Sequence, residues 1–218
     1  MSVAVTEIKK SELPFAAEIV LSDVDSHGEL PLRVLTSYID SHSYSVGSVL
    51  TDGEAEEAVE ASRVCECAVV GIKLLAYADN SVRGLERKLR SRGYDRDCAA
   101  CASRALADLG YINESSQIER RGRMFAERKL RGKRRIISEL ASLGYDRDAI
   151  AEWAHGDAEK IDFGQICARV IEKRGGMPPR EDADGRRRLL QYLYRQGFGG
   201  EDIRRAALIL ADTDKQEM

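Results

Sequence analysis

The sequence predicts a mainly α protein: tandem three-helix repeats, three units in an elongated, curved arrangement, preceded by a small β-rich N-terminal element. Three observations predict it. Period-two hydrophobicity is confined to the first fifty or so residues, helical periodicity runs from about residue 54 onward, and one self-similar segment occurs three times. Charged residues make up 33% of the chain and prolines number only 4, which suits helices with wide solvated faces.

The first element spans 1–53. Val3 and Val5, then Ala17, Ile19 and Leu21, alternate as half-buried strands do, and Leu32, Val34 and Leu35 form a third apolar run. Asp25-Ser26-His27-Gly28 supplies turn residues between two of these runs, so a small antiparallel sheet with one covered face is expected. At Thr51-Asp52-Gly53-Glu54 the pattern changes. Thr51 or Asp52 can cap a helix, and Glu54 stands three residues past Thr51, as in a capping box.

The repeats follow at 54–112, 113–156 and 157–212, with a polar tail at 213–218. KLRSRGYDRDCAA (88–100), ELASLGYDRDAIA (139–151) and YLYRQGFGGEDIR (192–204) align without gaps. They share Leu, three residues, Gly, then an aromatic: Leu89/Gly93/Tyr94, Leu140/Gly144/Tyr145 and Leu193/Gly197/Phe198. Upstream, Leu85, Ile136 and Leu189 lie on the same helical face as those leucines, and Ser81, Gly132 and Gly185 stand where a helix N-cap is needed. The Gly after each helix suits the left-handed C′ position. Asp95 and Asp146 then cap a further helix, which carries Ala99, Ala102, Leu106 and Leu109 in the first repeat. Its counterparts carry Ala149, Ile150 and Trp153, and Ile203, Ala207 and Leu210. A helix also precedes each capped one, marked by Ala68, Ile72 and Leu75, by Ile118 and Phe125, and by Phe163, Ile166, Cys167 and Val170. One three-helix unit buries little core, so neighbouring units are expected to stack.

Charge divides the chain. Residues 1–61 hold three basic and twelve acidic residues, a net of −9, which leaves +6 for the rest of a chain at −3. The densest basic stretch is in the second repeat: Arg120, Arg121, Arg123, Arg128, Lys129, Arg131, Lys133, Arg134 and Arg135. Smaller clusters recur at Arg83, Arg87, Lys88 and Arg90, and at Arg186, Arg187 and Arg188. They stand at or just before the start of the middle helix, where backbone N–H groups already favour phosphate. A solvated helical face is the bland alternative; recurrence in all three repeats favours a polyanion partner.

Other chemistry finds little support. Cys65 and Cys67 in one helix, and Cys98 and Cys101 in another, read as small apolar side chains in place of zinc knuckles. His27, His42 and His155 lack ligand spacing, Trp153 reads as core, and no phosphate-cradling loop, nucleophile elbow or paired carboxylate set occurs. No cofactor is expected. The absence of a basic start with a following apolar run, and five cysteines without framework spacing, point to a cytoplasmic chain with reduced thiols.

The run from Ser81 to Trp153 resembles the RecX family, bacterial regulators of the RecA recombinase. NSVRGLERKLRSRGY (80–94), ALADLGYINE (105–114) and RKLRGKRRIISELASLGY (128–145) carry the likeness, the last through Arg131, Gly132, Ile136, Glu139, Leu140 and Gly144. The likeness spans about 60–212. It departs where the family has an acidic pair after the Gly-Tyr junction and this chain has Asn113 and Glu114, and where Pro178 and Pro179 lengthen a linker in the third repeat.

The resemblance implies a non-catalytic protein that lies in the groove of the RecA–DNA filament, inhibits ATP hydrolysis and strand exchange, and contacts single- or double-stranded DNA more weakly. No apolar stretch approaches the roughly 20 residues a membrane span needs, and no dimerisation heptads occur, so no membrane partner and a monomer are expected. Carried onto this sequence, Arg123, Arg128, Arg131, Lys133, Arg134 and Arg135 are the first binding candidates, with Arg120 and Arg121, then the clusters of the first and third repeats. A general or sequence-specific DNA-binding protein built from helix-turn-helix-like units is the alternative, and a small metal-dependent nuclease a distant third.

Overall fold

The computed structural model describes residues 3–23 and 28–216. It is mainly helical, with a small antiparallel sheet at the N-terminus. Asp25, Ser26 and His27 of the expected turn lie outside the described residues.

The three apolar runs become strands β1 (Val3–Lys10), β2 (Ala16–Asp23) and β3 (Glu29–Leu35). A two-residue β4 (Val49–Leu50) completes the order β3-β2-β1-β4. Register follows the alternation: Val5 lies opposite Leu21, Ile19 opposite Leu32 and Ala17 opposite Val34, all of them buried. On the other face Arg33 pairs with Glu18 at 3.1 Å. The short helix α1 (Thr36–His42) follows β3 directly.

Thr51 caps α2 (Asp52–Tyr77). Its backbone N–H donates to Glu54 Oε2 at 2.7 Å, while its Oγ1 accepts from the Glu54 N–H. With 26 residues, α2 is about 39 Å long and serves two cores. Its N-terminal half places Ala58 against the sheet with Leu50 and Ile39. Its later turns place Cys65, Cys67 and Ala68 against α3 (Val82–Arg90) and α4 (Arg96–Asp108), where Leu85, Leu89 and Leu106 are fully buried. The sheet and the first repeat thus form one compact unit, Met1–Ile112.

The second compact unit is Asn113–Met218. It holds the second repeat, α5 (Glu114–Glu127), α6 (Lys133–Leu143) and α7 (Arg147–His155), then a 3-10 turn at Asp157–Lys160. The third repeat follows as α8 (Phe163–Glu172), α9 (Ala183–Arg195) and α10 (Gly200–Gln216). These two repeats share one continuous core that includes Ile136, Leu140, Trp153, Ile171, Leu193 and Phe198. Helix α10 continues into the segment read as a polar tail.

Repeat punctuation is chemical. Gly93, Gly144 and Gly197 end α3, α6 and α9 with φ near +95°, +90° and +93°, where a Cβ would be strained. The N–H groups of Tyr145 and Phe198 return to the carbonyls of Leu140 and Leu193, which seats both aromatics in the core. Ser81 and Gly132 are the N-caps of α3 and α6 as expected. The third cap is Asp182 rather than Gly185: its carboxylate accepts the Gly185 N–H at 2.8 Å, a bond glycine has no side chain to make. Two expected core positions also move. Leu109, at the C-terminal end of α4, is 47% exposed, and on α10 the buried alanine is Ala206, one turn after Ile203, while Ala207 is half-buried.

Candidate basic binding surface

The bases of the second repeat are sorted by what they touch. On α5, capped by Asn113, Arg120 and Arg123 are exposed, and Arg123 lies 3.6 Å from Glu119 one turn back. The chain then turns tightly. Leu130 takes φ +52°, the Arg131 N–H reaches back to the Phe125 carbonyl at 3.0 Å, and the Lys129 ammonium sits 4.6 Å from the centre of the Phe125 ring. The turn leaves Arg128 and Lys129 exposed. Lys129 belongs with the candidates, and its place beside Arg128 was the signal for it.

At the start of α6 the two repeats of this unit meet. Gly132 and Arg134 donate their backbone N–H groups to the carbonyls of Gln196 and Gly197, at 2.9 and 3.2 Å. A Cβ on Gly132 would collide with the backbone of Gly197 and Phe198. The Arg131 guanidinium donates to the Gln196 side-chain oxygen, and its Nε lies 3.7 Å from Glu139 Oε1. Glu139 also accepts from Arg135 Nε at 3.0 Å. Arg131 is only 29% exposed. It joins the second repeat to the third, while Arg134 and Arg135 face water and Lys133 is half-buried.

The phosphate site expected at the starts of the middle helices is already partly taken by the chain itself. Ser81 Oγ accepts from Gly84 N at 3.0 Å, Asp182 takes the Gly185 N–H, and the α6 terminus is bonded to Gln196 and Gly197. In the first repeat only Arg83 is near the start of its helix. Arg87, Lys88 and Arg90 occupy the last turn of α3, where cations complement the helix dipole. In the third repeat Arg188 is exposed, Arg187 lies 3.6 Å from Asp184, and Arg186 is half-buried. Exposed ion pairs of this kind contribute about 0–1 kcal/mol, so they leave the bases available. The sets of the second and third repeats share one unit; Arg83, Arg87, Lys88 and Arg90 belong to the other. Arg121, on α5, is half-buried.

Cys65, Cys67, Cys98 and Cys167 are buried, and Cys101 is exposed. Burial pushes the thiols of Cys65, Cys67 and Cys167 up to about 11, 12 and 12. His42 stacks on Tyr44 with Glu57 at 3.4 Å, and Trp153 is in the core. Among the described residues no group of three or more His, Cys, Asp or Glu is placed to hold a metal ion. No described helix is long and apolar enough to cross a membrane.

Tandem three-helix repeats after a small sheet, with several basic residues of the second repeat exposed, define a helical-repeat protein. A family model described as "RecX, third three-helix domain" matches residues 165–207. The regulatory protein RecX of Stenotrophomonas maltophilia strain R551-3 is 32% identical over 133 residues, which cover 61% of this chain and 80% of the relative. That of Halorhodospira halophila is 31% identical over 145 residues, 66% and 88% of the two chains. Among solved structures, a crystal structure of regulatory protein RecX superposes with a TM-score of 0.65 at 14% identity, covering 92% of this chain and 96% of the other. RecX from Lactobacillus salivarius gives 0.59 at 22% identity, covering 69% and 98%; these two likenesses speak for the fold. The chain belongs to the RecX family of regulatory proteins.

Proposed function

We propose that this protein is a non-catalytic, cytoplasmic, monomeric regulator that binds the RecA–DNA filament in its groove and lowers its ATPase and strand-exchange activity. The observation that carries the reading is the exposed set Arg120, Arg123, Arg128, Lys129, Arg134 and Arg135, held on one compact two-repeat unit. Such a set meets phosphates or an acidic protein surface. Arg131 supports the contact indirectly, by fixing α6 against α9. The bases of the third repeat, in the same unit, extend the contact, and those of the first repeat offer one of their own. The test compares affinity for RecA filaments on single-stranded DNA with affinity for the same DNA alone, over a range of salt. The reading expects tighter binding to filament and weaker binding for Arg128→Ala/Arg134→Ala; equal affinity for both targets contradicts it.

A plain DNA-binding protein is the second reading. The helix-turn-helix connection of α9 to α10 through Gly197, Phe198 and Gly199 favours it. A selection from random duplexes that returned one preferred sequence would support it over the first.

A further inference from the structure

In both repeats of the second unit, the seam between the second and third helices is apolar and open to water. In the second repeat it forms a groove of about 390 Å³, where Ile137 and Ala141 of α6 face Ile150, Ala151 and Ala154 of α7. Arg147 and His155, the first and last residues of α7, complete the lining. In the third repeat a groove of about 230 Å³ lies among Leu189, Leu190 and Leu193 of α9, Ile203 of α10, Met177 and Arg186. Leu190 and Ile203 are the repeat counterparts of Ile137 and Ile150, 53 residues on. In the first repeat the position of Ile137 is taken by Glu86 and that of Ala141 by Arg90.

That contrast matters. The seam position tolerates charge in a folded repeat, so apolar side chains there are not a requirement of folding. Leu190 and Met177 remain 39% and 37% exposed, and Ala141 and Ala151 face water. Recurring open apolar surface of this sort marks a binding face. Its shape suits a helix: the small Ala141, Ala151 and Ala154 allow close approach of another backbone, and the grooves admit a few aliphatic side chains spaced by one turn. Charge selects the partner's sign. The ionisable groups lining the two grooves are Arg147, His155 and Arg186, with no carboxylate among them. The apolar floors suit an aliphatic helix face better than a phosphate, which only the cations among the lining could meet.

We propose that these seams are docking grooves for an acidic amphipathic helix of a protein partner. Its aliphatic face fills the groove, and its carboxylates meet Arg147, His155 and Arg186. The proposal rests on the reading of the chain as a filament regulator, and it assigns the protein contacts of that regulator to the seams and the phosphate contacts to the exposed bases.

Ala151→Glu, Ala151→Lys and Leu190→Glu test it. Both positions are accessible, and helical circular dichroism confirms that each variant folds. Binding is measured to RecA filaments assembled on immobilised single-stranded DNA, and to that DNA alone. A glutamate at 151 falls one turn from both Arg147 and His155, so it neutralises the rim as well as repelling an acidic partner. The expected result is about tenfold weaker filament binding for each Glu variant, a smaller loss for Ala151→Lys, and DNA binding within about twofold of wild type. Unchanged filament binding by the Glu variants overturns the grooves while the regulator reading stands. Equal losses for Ala151→Lys and Ala151→Glu overturn the acidic partner, and parallel losses on bare DNA overturn a protein partner. If the wild type fails to bind filament, the regulator reading falls and the grooves with it.

Discussion

Replacing Gly132 by alanine tests the joint between the second and third repeats. The added methyl has no room, because the groups it meets are backbone atoms of Gly197 and Phe198 rather than the mobile end of a side chain. Relief requires α6 to withdraw from α9. Withdrawal stretches two backbone hydrogen bonds, to Gln196 and Gly197, each contributing about 1 kcal/mol net. It also weakens the charged bond from Arg131 to Gln196, which contributes about 1.5–3 kcal/mol. Partial retention of these contacts puts the expected loss at about 3 kcal/mol, a large share of a domain's usual 5–15 kcal/mol. Trp153, the only tryptophan, lies in the core of this unit, so its fluorescence during urea denaturation reports the loss selectively. With a slope of about 1.5 kcal/mol per molar, the midpoint falls by about 2 M. Gly53→Ala is the control, since a Cβ there meets nothing within 4 Å. A Gly132→Ala midpoint equal to that of wild type would refute the reasoning.

Two further outcomes follow from local chemistry. Asp95 caps α4 by accepting the Cys98 N–H at 2.8 Å, and that bond holds its carboxyl below the usual range, with Arg63 adding to the effect. A depressed pKa contributes stability that is present above the unfolded value of about 4 and lost as pH falls through the folded one. Thermal melts between pH 6 and 3 are therefore expected to show a smaller acid-induced loss for Asp95→Asn, which keeps a cap but has no charge to lose. In the native protein, titration with an aromatic disulfide reagent is expected to consume one thiol quickly, that of Cys101. Cys65, Cys67, Cys98 and Cys167 react only on unfolding; several fast thiols would contradict their burial.

Much of the architecture is legible in the sequence, because its signals are local. The first two strands show through period-two alternation at 3/5 and 17/19/21, and the third through the apolar run Leu32, Val34 and Leu35. The repeats show through a leucine, a C′ glycine and an aromatic whose roles depend only on near neighbours. What escapes is what distant residues decide. Helix α1 has seven residues and β4 two, too short for any period to emerge. The Thr51 capping box marks where α2 begins, but not that one helix serves both the sheet and the first repeat. Gly185 aligns with Ser81 and Gly132, yet Asp182 has the oxygen a cap requires; cap chemistry was the better guide than alignment. The basic surface is legible as composition and not as parts. Arg131 stands among arginines and lysines, and only Gln196, 65 residues further on, makes it a joint rather than a contact. The apolar seams escape for the same reason, since Ala151 and Leu190 look like ordinary helix residues until the facing helix is in place.

The most direct test of the central claim is ATP hydrolysis by RecA on single-stranded DNA, with this protein added at a small fraction of the RecA concentration. Arg128→Ala/Arg134→Ala, which spares the joint at Arg131, is run beside it. The account predicts that the wild type lowers hydrolysis substoichiometrically and that the variant needs several times more protein for the same effect. Hydrolysis unchanged by the wild type, while it still binds bare DNA, would contradict the account and leave the plain DNA-binding reading in its place.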